Sequence, residues 1–303
     1  MPAPFPFRRF VIWGLRETRH THRYIHLGFF HAAKRLGVDV VWAEDSAAEA
    51  DTVRDGDLVL SVNVAGNNLP VVKGARYVLH NFTEDRQDQV QALGEQAIHL
   101  QVFTDTTIAG AERFGASCTW LNRATRTLIQ PWGTNLSREE FNDPAPWHFP
   151  AAVFWIGSVW NNALEQGNVK EYIAMRTALR AHRRLIFRPK VNDVFAAWLI
   201  RHSALSPAIA GRWQVENNYL PCRLFKNISY GQLGSTNVAG FSAILGDTAV
   251  ISTDIREVVE RDLSLRGAER REHIRAQQER IAEHTYAHKL ANMVRALEEF
   301  RAV

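Results

Sequence analysis

The polar segment Asn217 to Asn237, NNYLPCRLFKNISYGQLGSTN, gathers side chains suited to holding an anion. Arg223 and Lys226 are spaced i and i+3, neighbouring positions on one helix face. A helix starting near Pro221 ends at Gly231, a residue suited to a C-terminal stop. The turn QLGSTN then opens a second helix, roughly Val238 to Leu245, with Ser235, Thr236 or Asn237 at its N-cap. A glycine-bearing turn at a helix N-terminus offers backbone N–H groups and the positive end of a dipole, an arrangement that binds phosphate. The competing reading is an ordinary helix–turn–helix joint with a solvated basic face.

Two further groups carry the same chemistry. Arg188 and Lys190 follow the apolar run RLIFR, at the carboxyl end of an expected strand. Gly157 and Ser158 end another, AVFWI, where a small residue lets a ligand approach the backbone. Near the start, Thr18 to His26 reads TRHTHRYIH, with Arg19, His20, His22, Arg23 and His26 close together. With Thr21 as N-cap, His22 falls in the first helical turn on the face of Ile25 and Phe29. The helix dipole there disfavours imidazolium and keeps a histidine able to accept a proton. His22 and His26, at i and i+4, have the spacing of two metal ligands, but no third ligand is near in sequence. Structural histidines in a core are the plain alternative.

Several chemistries are excluded by missing motifs. No GxGxxG follows the first strand, and no P-loop, GxSxG elbow or HExxH helix occurs. Asp55-Gly56-Asp57 has the D-x-D form that can hold a divalent metal. It stands just before a strand, however, the wrong end of a parallel sheet for a ligand, and DG is a common turn pair.

The elements that must position these residues alternate between strand and helix. Arg9–Leu15, Val38–Ala43, Asp57–Val62 and Arg76–Phe82 read as strands, and apolar spacing from Tyr24 to Leu36 reads as a helix closed by Gly37. DPAPWHFP, residues 143–150, carries three prolines and reads as a linker. The pattern then restarts: strands at Ala152–Ile156, Arg184–Arg188, Trp213–Val215 and Ala249–Ser252, and helices at Val169–His182, Val191–Arg201 and Arg223–Tyr230. One long helical tail, Gly267–Arg301, closes the chain. The expected fold is α/β, with two Rossmann-like domains facing each other across a cleft.

Composition agrees. The chain has 303 residues, 46% hydrophobic and 22% charged, which is globular usage at two-domain length. Its two cysteines, Cys118 and Cys222, are far apart, which excludes a disulfide scaffold or a cysteine-rich zinc module and suits a reducing cytoplasm. Neither a membrane-spanning run nor a secretory leader is expected. The net charge of +4 is diffuse, unlike the basic stripe of a nucleic-acid binder. It suits an anionic small molecule, or a membrane surface that carries the substrate.

With these residues in place, the chain resembles the GT-B-fold glycosyltransferases, which transfer sugars from nucleotide donors. RLFKNISYGQLGSTN is similar to their donor-binding segment, with Arg223 at its basic position and Gly231 at its glycine. STDIREVVE resembles the stretch after the following strand. HTYAHKLANMVRAL, His284 to Leu297, resembles their tail helix, and QPWGTNL, Gln130 to Leu136, their inter-lobe segment. Lys226 stands where retaining members carry a second acid, and Asn135 where the inter-lobe aspartate often is, so the retaining signature is absent.

The resemblance implies an acceptor domain over residues 1–142, the linker 143–150, a donor domain over 151–285 and a tail helix, 286–303, crossing back to the first domain. It implies a metal-independent transfer with no cofactor, from a nucleoside-diphosphate sugar to a glycan or lipid-linked acceptor, in the cytoplasm or at the inner face of the membrane. Arg188, Lys190, Arg223, Lys226, Ser235, Thr236 and Asn237 then hold the donor phosphates. Gly157, Ser158, Asn217, Tyr219, Asn227, Gly231 and Gln232 meet the nucleotide or sugar. Arg19 and Arg23 meet the acceptor, and His22 or His20 acts as general base. The competing functions are a nucleotide or sugar-phosphate binding protein, an epimerase, or a scaffold in surface-polysaccharide assembly.

Overall fold

The structure is a computed structural model that describes residues 5–14, 16, 21–62, 68–80, 87–103, 109–115 and 118–300. The chain forms two compact units, Met1–Val102 with Thr106–Gln130 and Tyr286–Val303, and Phe103–Asp105 with Pro131–Thr285.

Unit 1 is built on one eight-stranded sheet. Its elements in chain order are β1 (Phe10–Trp13), α1 (Thr21–Arg35), β2 (Val40–Ala43), β3 (Leu58–Val62), β4 (Arg76–His80), α2 (Gln87–Leu93), β5 (Ala97–Gln101), β6 (Glu112–Arg113), β7 (Trp120–Asn122) and β8 (Thr127–Ile129). The sheet runs β2-β1-β3-β4-β5-β8 in parallel and finishes with antiparallel β7 and β6. All four residues of β1 are buried, as a strand covered on both faces requires. Val11, Trp13, Val59, Tyr77 and Leu79 share one core cluster. Phe10 meets Phe29 of α1 edge-on, and Phe29 packs on Tyr286. Tyr286 opens the chain's last helix, Tyr286–Glu299, which belongs to this unit.

The DGD turn is structural. Gly56 has φ +78°, and Asp57 is fully buried in an ion pair with Arg9 at 3.0 Å. Asp57 also accepts from the Arg54 backbone N–H at 2.8 Å. Its carboxylate therefore holds the entry to β3. His26 is a core residue wedged between Trp42 and Gly14, where an added β-carbon would come within 2.6 Å of the imidazole Cε1.

Unit 2 contains β9 (Ala152–Phe154), α3 (Val169–Ala181), β10 (Leu185–Phe187), α4 (Asp193–His202), α5 (Arg212–Glu216), α6 (Cys222–Ser229), β11 (Ser235–Thr236), α7 (Ser242–Leu245), β12 (Val250–Ile251), α8 (Ile255–Ser264) and α9 (Gly267–Ile281). The last helix, in unit 1, is α10. Strand β10 pairs in parallel with β9, and β11 with β12. The stretch from Ala204 to Ala208 joins the pairs, since Ala204 N donates to Ala152 O and Ala208 N to Ser235 O. Leu205 and Ile209 meet Val153, Met175, Leu179, Val258 and Val259 in one core beneath α3 and α8. Unit 2 thus carries two parallel two-stranded sheets, linked by this stretch and covered by helices.

Three expectations change. Residues 143–150 are not the joint: the units divide at Gln130/Pro131, and the proline-rich stretch is fastened inside unit 2 by Phe149 N bonding to His202 O at 2.9 Å. The segment Trp213–Val215 is helical, because the Gln214 side chain turns back to the Gly211 N–H and stabilises a first turn. The tail is two helices, not one. At Thr285 the backbone bridges to Thr134, and His284 O accepts from Thr134 N, which takes carbonyls that a continuous helix would use.

Candidate functional site

Parallel strands β9 and β10 bring their carboxyl ends together, carrying Gly157 and Ser158 on one and Arg188 and Lys190 on the next. Such ends are where ligands bind in open α/β sheets. Gly157 has φ +154°, and the Arg223 guanidinium lies directly against it. A β-carbon built on Gly157 would come within 2.9 Å of Arg223 Cζ. The same guanidinium sits 4.2 Å from the centre of the Trp155 ring. Trp155 is held in place by its Nε1–H donating to Gly157 O at 3.1 Å. Tyr172 meets Trp155 edge-on at 5.3 Å, and Arg188 lies 5.8 Å from the Tyr172 ring. Four residues thus form a file, Arg223, Trp155, Tyr172 and Arg188, with a cation at each end.

Among the described residues no carboxylate pairs with Arg223 or Arg188. Burial pulls the Arg223 pKa down to about 10, which leaves it charged at neutral pH. Lys226, one turn further along α6, is lowered to about 8, chiefly by burial, with the Arg223 charge adding to the effect against Cys222 and Asp193. Helix α6 presents both cations on its partly exposed face because Leu224, Phe225 and Ile228 are buried on the other. Arg223, with no carboxylate paired to it among the described residues, thus stands beside a glycine-walled strand end, and a guanidinium so placed is chemically suited to bind phosphate.

Other residues of the segment have different work. Ser235 and Thr236 form β11 rather than a helix cap, and α7 begins only at Ser242 after a 3₁₀ turn at Ala239–Phe241. Ser235 Oγ donates to Asp262 at 2.5 Å, Thr236 Oγ1 to Ala208 O at 2.8 Å, and Asn237 makes a two-way amide pair with the Ala210 backbone. The turn amides are occupied as well, since Gly234 N donates to Gln277 Oε1 at 2.7 Å and Leu233 N to Gln232 Oε1 at 2.8 Å. These side chains and amides are sealed in the core, which corrects their expected phosphate role.

Gln232 and Asn227 are buried too. Gln232 bonds Ile200 O, Ser203 O, Leu233 N and Arg270, while Asn227 donates to Ser206 O at 2.6 Å. Gly231, φ +80°, ends α6 against the backbone of Asn142 and Asp143. These residues and the turn are closed off from solvent, which argues against their expected nucleotide or sugar role. Asn217 is tied to Trp213 O at 2.8 Å, and Tyr219 accepts from Trp132 Nε1 at 2.8 Å, burial raising its pKa.

In unit 1, Arg19 and His20 lie outside the described residues, as does the His22 side chain. His22 itself is the second residue of α1, and Arg23 is exposed on the same turn. Among the described residues no three His, Cys, Asp or Glu side chains cluster as metal ligands. Tyr172 had no signal in the sequence beyond being an aromatic residue of a helix. Trp155 reads from its strand as core, and it is 4% exposed, yet its ring face carries Arg223.

No family model matches the chain, and no curated protein matches it in sequence. Solved structures do match in fold. One is the E. coli trehalose-6-phosphate structure bound with UDP-2-fluoro glucose, with a TM-score of 0.62 at 9% identity over 96% of this chain and 99% of that one. An α-glucosyltransferase in complex with UDP and a 13-mer DNA gives 0.62 at 10% identity over 96% and 99%. The UDP-forming α,α-trehalose-phosphate synthase from Burkholderia xenovorans, in complex with glucose-6-phosphate, gives 0.54 at 13% over 92% and 79%. The chain has the GT-B-type fold of these proteins, with two Rossmann-like units.

Proposed function

We propose that the chain is a glycosyltransferase that moves a sugar from a nucleoside-diphosphate sugar to an acceptor hydroxyl. The observation that carries the reading is Arg223, an uncompensated, half-buried cation pressed against Gly157 at the carboxyl ends of parallel strands, with Lys226 one turn away. Its support is the fold, shared with proteins bound to UDP and to UDP-2-fluoro glucose.

The reaction calls for such a site. Breaking the bond between sugar and nucleoside diphosphate leaves negative charge on the departing phosphate, and fixed cations stabilise that charge most where water is scarce. Arg223 and Lys226 take the diphosphate, with Arg188 and Lys190 at the neighbouring strand end, so that no metal is required. Unit 2 is the donor unit and unit 1 the acceptor unit. His22 or His20 removes the acceptor proton.

A thermal-shift panel of UDP, GDP, ADP, CMP and TDP, each with magnesium and with EDTA, tests the donor site. A ligand that binds only the folded state must raise the melting temperature. A rise with one diphosphate, unchanged by EDTA and absent in Arg223→Ala, is the expected result. No response to any nucleotide overturns the reading, and product formation without a separate acceptor would make the protein an epimerase.

A further inference from the structure

A second concentration of positive charge lies along the outer edge of unit 2, adjoining at Tyr172 the file that begins with Arg223. Tyr172, Arg176 and Arg180 follow one another at i, i+4 and i+8 on one face of α3, and with Arg184, Leu185 and Ile186 they line a cavity of about 180 Å³. Among the described residues no carboxylate pairs with Arg176, Arg180 or Arg184. The Arg184 head group donates from Nη1 to Pro150 O, and its Nε is buried without a partner. Burial and the positive charges of Arg266 and Arg270 lower its pKa. Asp262, itself paired with Arg270, opposes this lowering.

The strand that borders this cavity carries a second unusual feature. β10 is the edge of its sheet, and Leu185 and Phe187 are 59% and 46% exposed. From Phe187 a run of ring contacts passes through Phe154, Phe149, Trp198 and Phe195, with Trp147 against Trp198. Phe195, Trp198 and Trp147 are themselves 40–48% exposed, and Val194 beside them is 83% exposed. A connected aromatic patch of this kind at a protein surface marks a partner of matching chemistry.

We propose that this edge of unit 2 docks on an anionic lipid surface. Arginine forks bind phosphate oxygens in two-point fashion, which suits lipid head groups at Arg176, Arg180 and Arg184. Tryptophan and phenylalanine prefer the interfacial layer just beneath, where one side of the ring is wet and the other apolar. Ile186 faces the α3 side of the sheet and Phe187 the opposite side, so the two features flank the exposed edge strand β10, and a surface that approaches this edge meets both. A soluble anion would account for the arginines alone, and a second copy of the chain would account for the aromatics but would set the arginine rows against one another's charge. No helix of the described residues is long and apolar enough to cross a membrane, so the contact is peripheral.

Co-sedimentation of the full chain with vesicles tests this directly. Vesicles of phosphatidylglycerol in phosphatidylcholine should bind the protein, with a blue shift in tryptophan emission. Phosphatidylcholine alone should bind it at least about tenfold more weakly, and high salt should release it. Arg176→Glu/Arg180→Glu changes exposed side chains only, and should keep the melting temperature while reducing binding about tenfold or more. Trp198→Ser should abolish the emission shift. Equal binding to neutral vesicles, no binding, or binding indifferent to the Arg176→Glu/Arg180→Glu change would each overturn the proposal. So would a lipid-independent dimer, seen by light scattering, that Trp198→Ser dissociates. Nucleotide affinity should be unchanged in these variants, so the result is independent of the donor site.

Discussion

The guanidinium of Arg223 occupies the space that a side chain on Gly157 would fill: a β-carbon there would lie 2.9 Å from Arg223 Cζ and 3.1 Å from Nε. Two residues 66 positions apart in the sequence are therefore one structural device. The glycine makes room for the cation, and the Trp155 face holds it. Gly157→Ala should displace Arg223 and also strain a backbone at φ +154°, costing about 1–3 kcal/mol of stability. Isothermal titration should show nucleotide affinity falling with it. Unimpaired affinity in a folded Gly157→Ala protein would remove Arg223 from the donor site.

Arg223 itself separates function from stability. Losing one charge-assisted contact to phosphate should weaken nucleotide binding by roughly tenfold to a hundredfold, or about 1.5–3 kcal/mol. The melting temperature should move little or rise in Arg223→Met, because a half-buried cation without a carboxylate partner is replaced by an apolar chain of similar length. Calorimetry with and without nucleotide checks both halves. A large loss of stability would mean the guanidinium is there to hold the fold.

Lys226 should make nucleotide binding pH-dependent near physiological conditions. Its pKa falls from 10.5 in the unfolded chain to about 8 in the folded one, so between those values the unfolded state binds more protons. Protonated Lys226 is thus a burden on the fold below about pH 8 that is relieved as pH rises toward 10.5. Lys226→Met should be more stable than the parent at pH 7, with the difference shrinking as pH is raised. Nucleotide binding needs the charged form and should run the other way, weakening above pH 8 in the parent and staying flat in Lys226→Met. A pH-independent difference in affinity would place the diphosphate elsewhere.

The helix that carries Arg223 and Lys226 was legible because its signal is local: a basic pair at helical spacing, with an apolar face behind it. The strand ends were legible for the same reason, since AVFWI and RLIFR are short apolar runs closed by glycine and by Arg-Pro-Lys. Ser235, Thr236 and Asn237 were not. Their polar side chains read as a ligand cradle, and only Asp262, Ala208 and Ala210, about 27 residues away in the chain, make them a buried strand. A buried polar strand is invisible to a hydrophobic pattern when each of its partners is distant. The break between α9 and α10 has the same origin, because the chain that competes for its carbonyls is Gly133-Thr134.

Arg270 and Asp262 form a buried pair at 2.8 Å, and the network extends to Ser235 and Gln232. It ties α8, α9, β11 and the end of α6 together, just behind the helix that carries Arg223 and Lys226. Removing one partner leaves the other charged and unpaired in the core, so Asp262→Ala should cost about 3–5 kcal/mol in chemical denaturation. Asp262→Ala combined with Arg270→Met should recover a substantial part of that loss. An Asp262→Ala protein as stable as the parent would show that the pair is dispensable.

Asp57 and Asp55 give opposite expectations although they share one motif. Asp57 is fully buried against Arg9 and caps the turn into β3, while Asp55 is exposed. Asp57→Ala strands Arg9 and should destabilise unit 1 by about 3–5 kcal/mol. Asp55→Ala should leave the melting temperature nearly unchanged. A metal-binding D-x-D would behave differently: both substitutions would lower activity, and added manganese would restore part of it. Transfer rates and melting curves of the two variants, measured with EDTA and with manganese, decide between a turn and a metal site. Equal loss of activity in Asp55→Ala, rescued by manganese, would return the motif to the reaction.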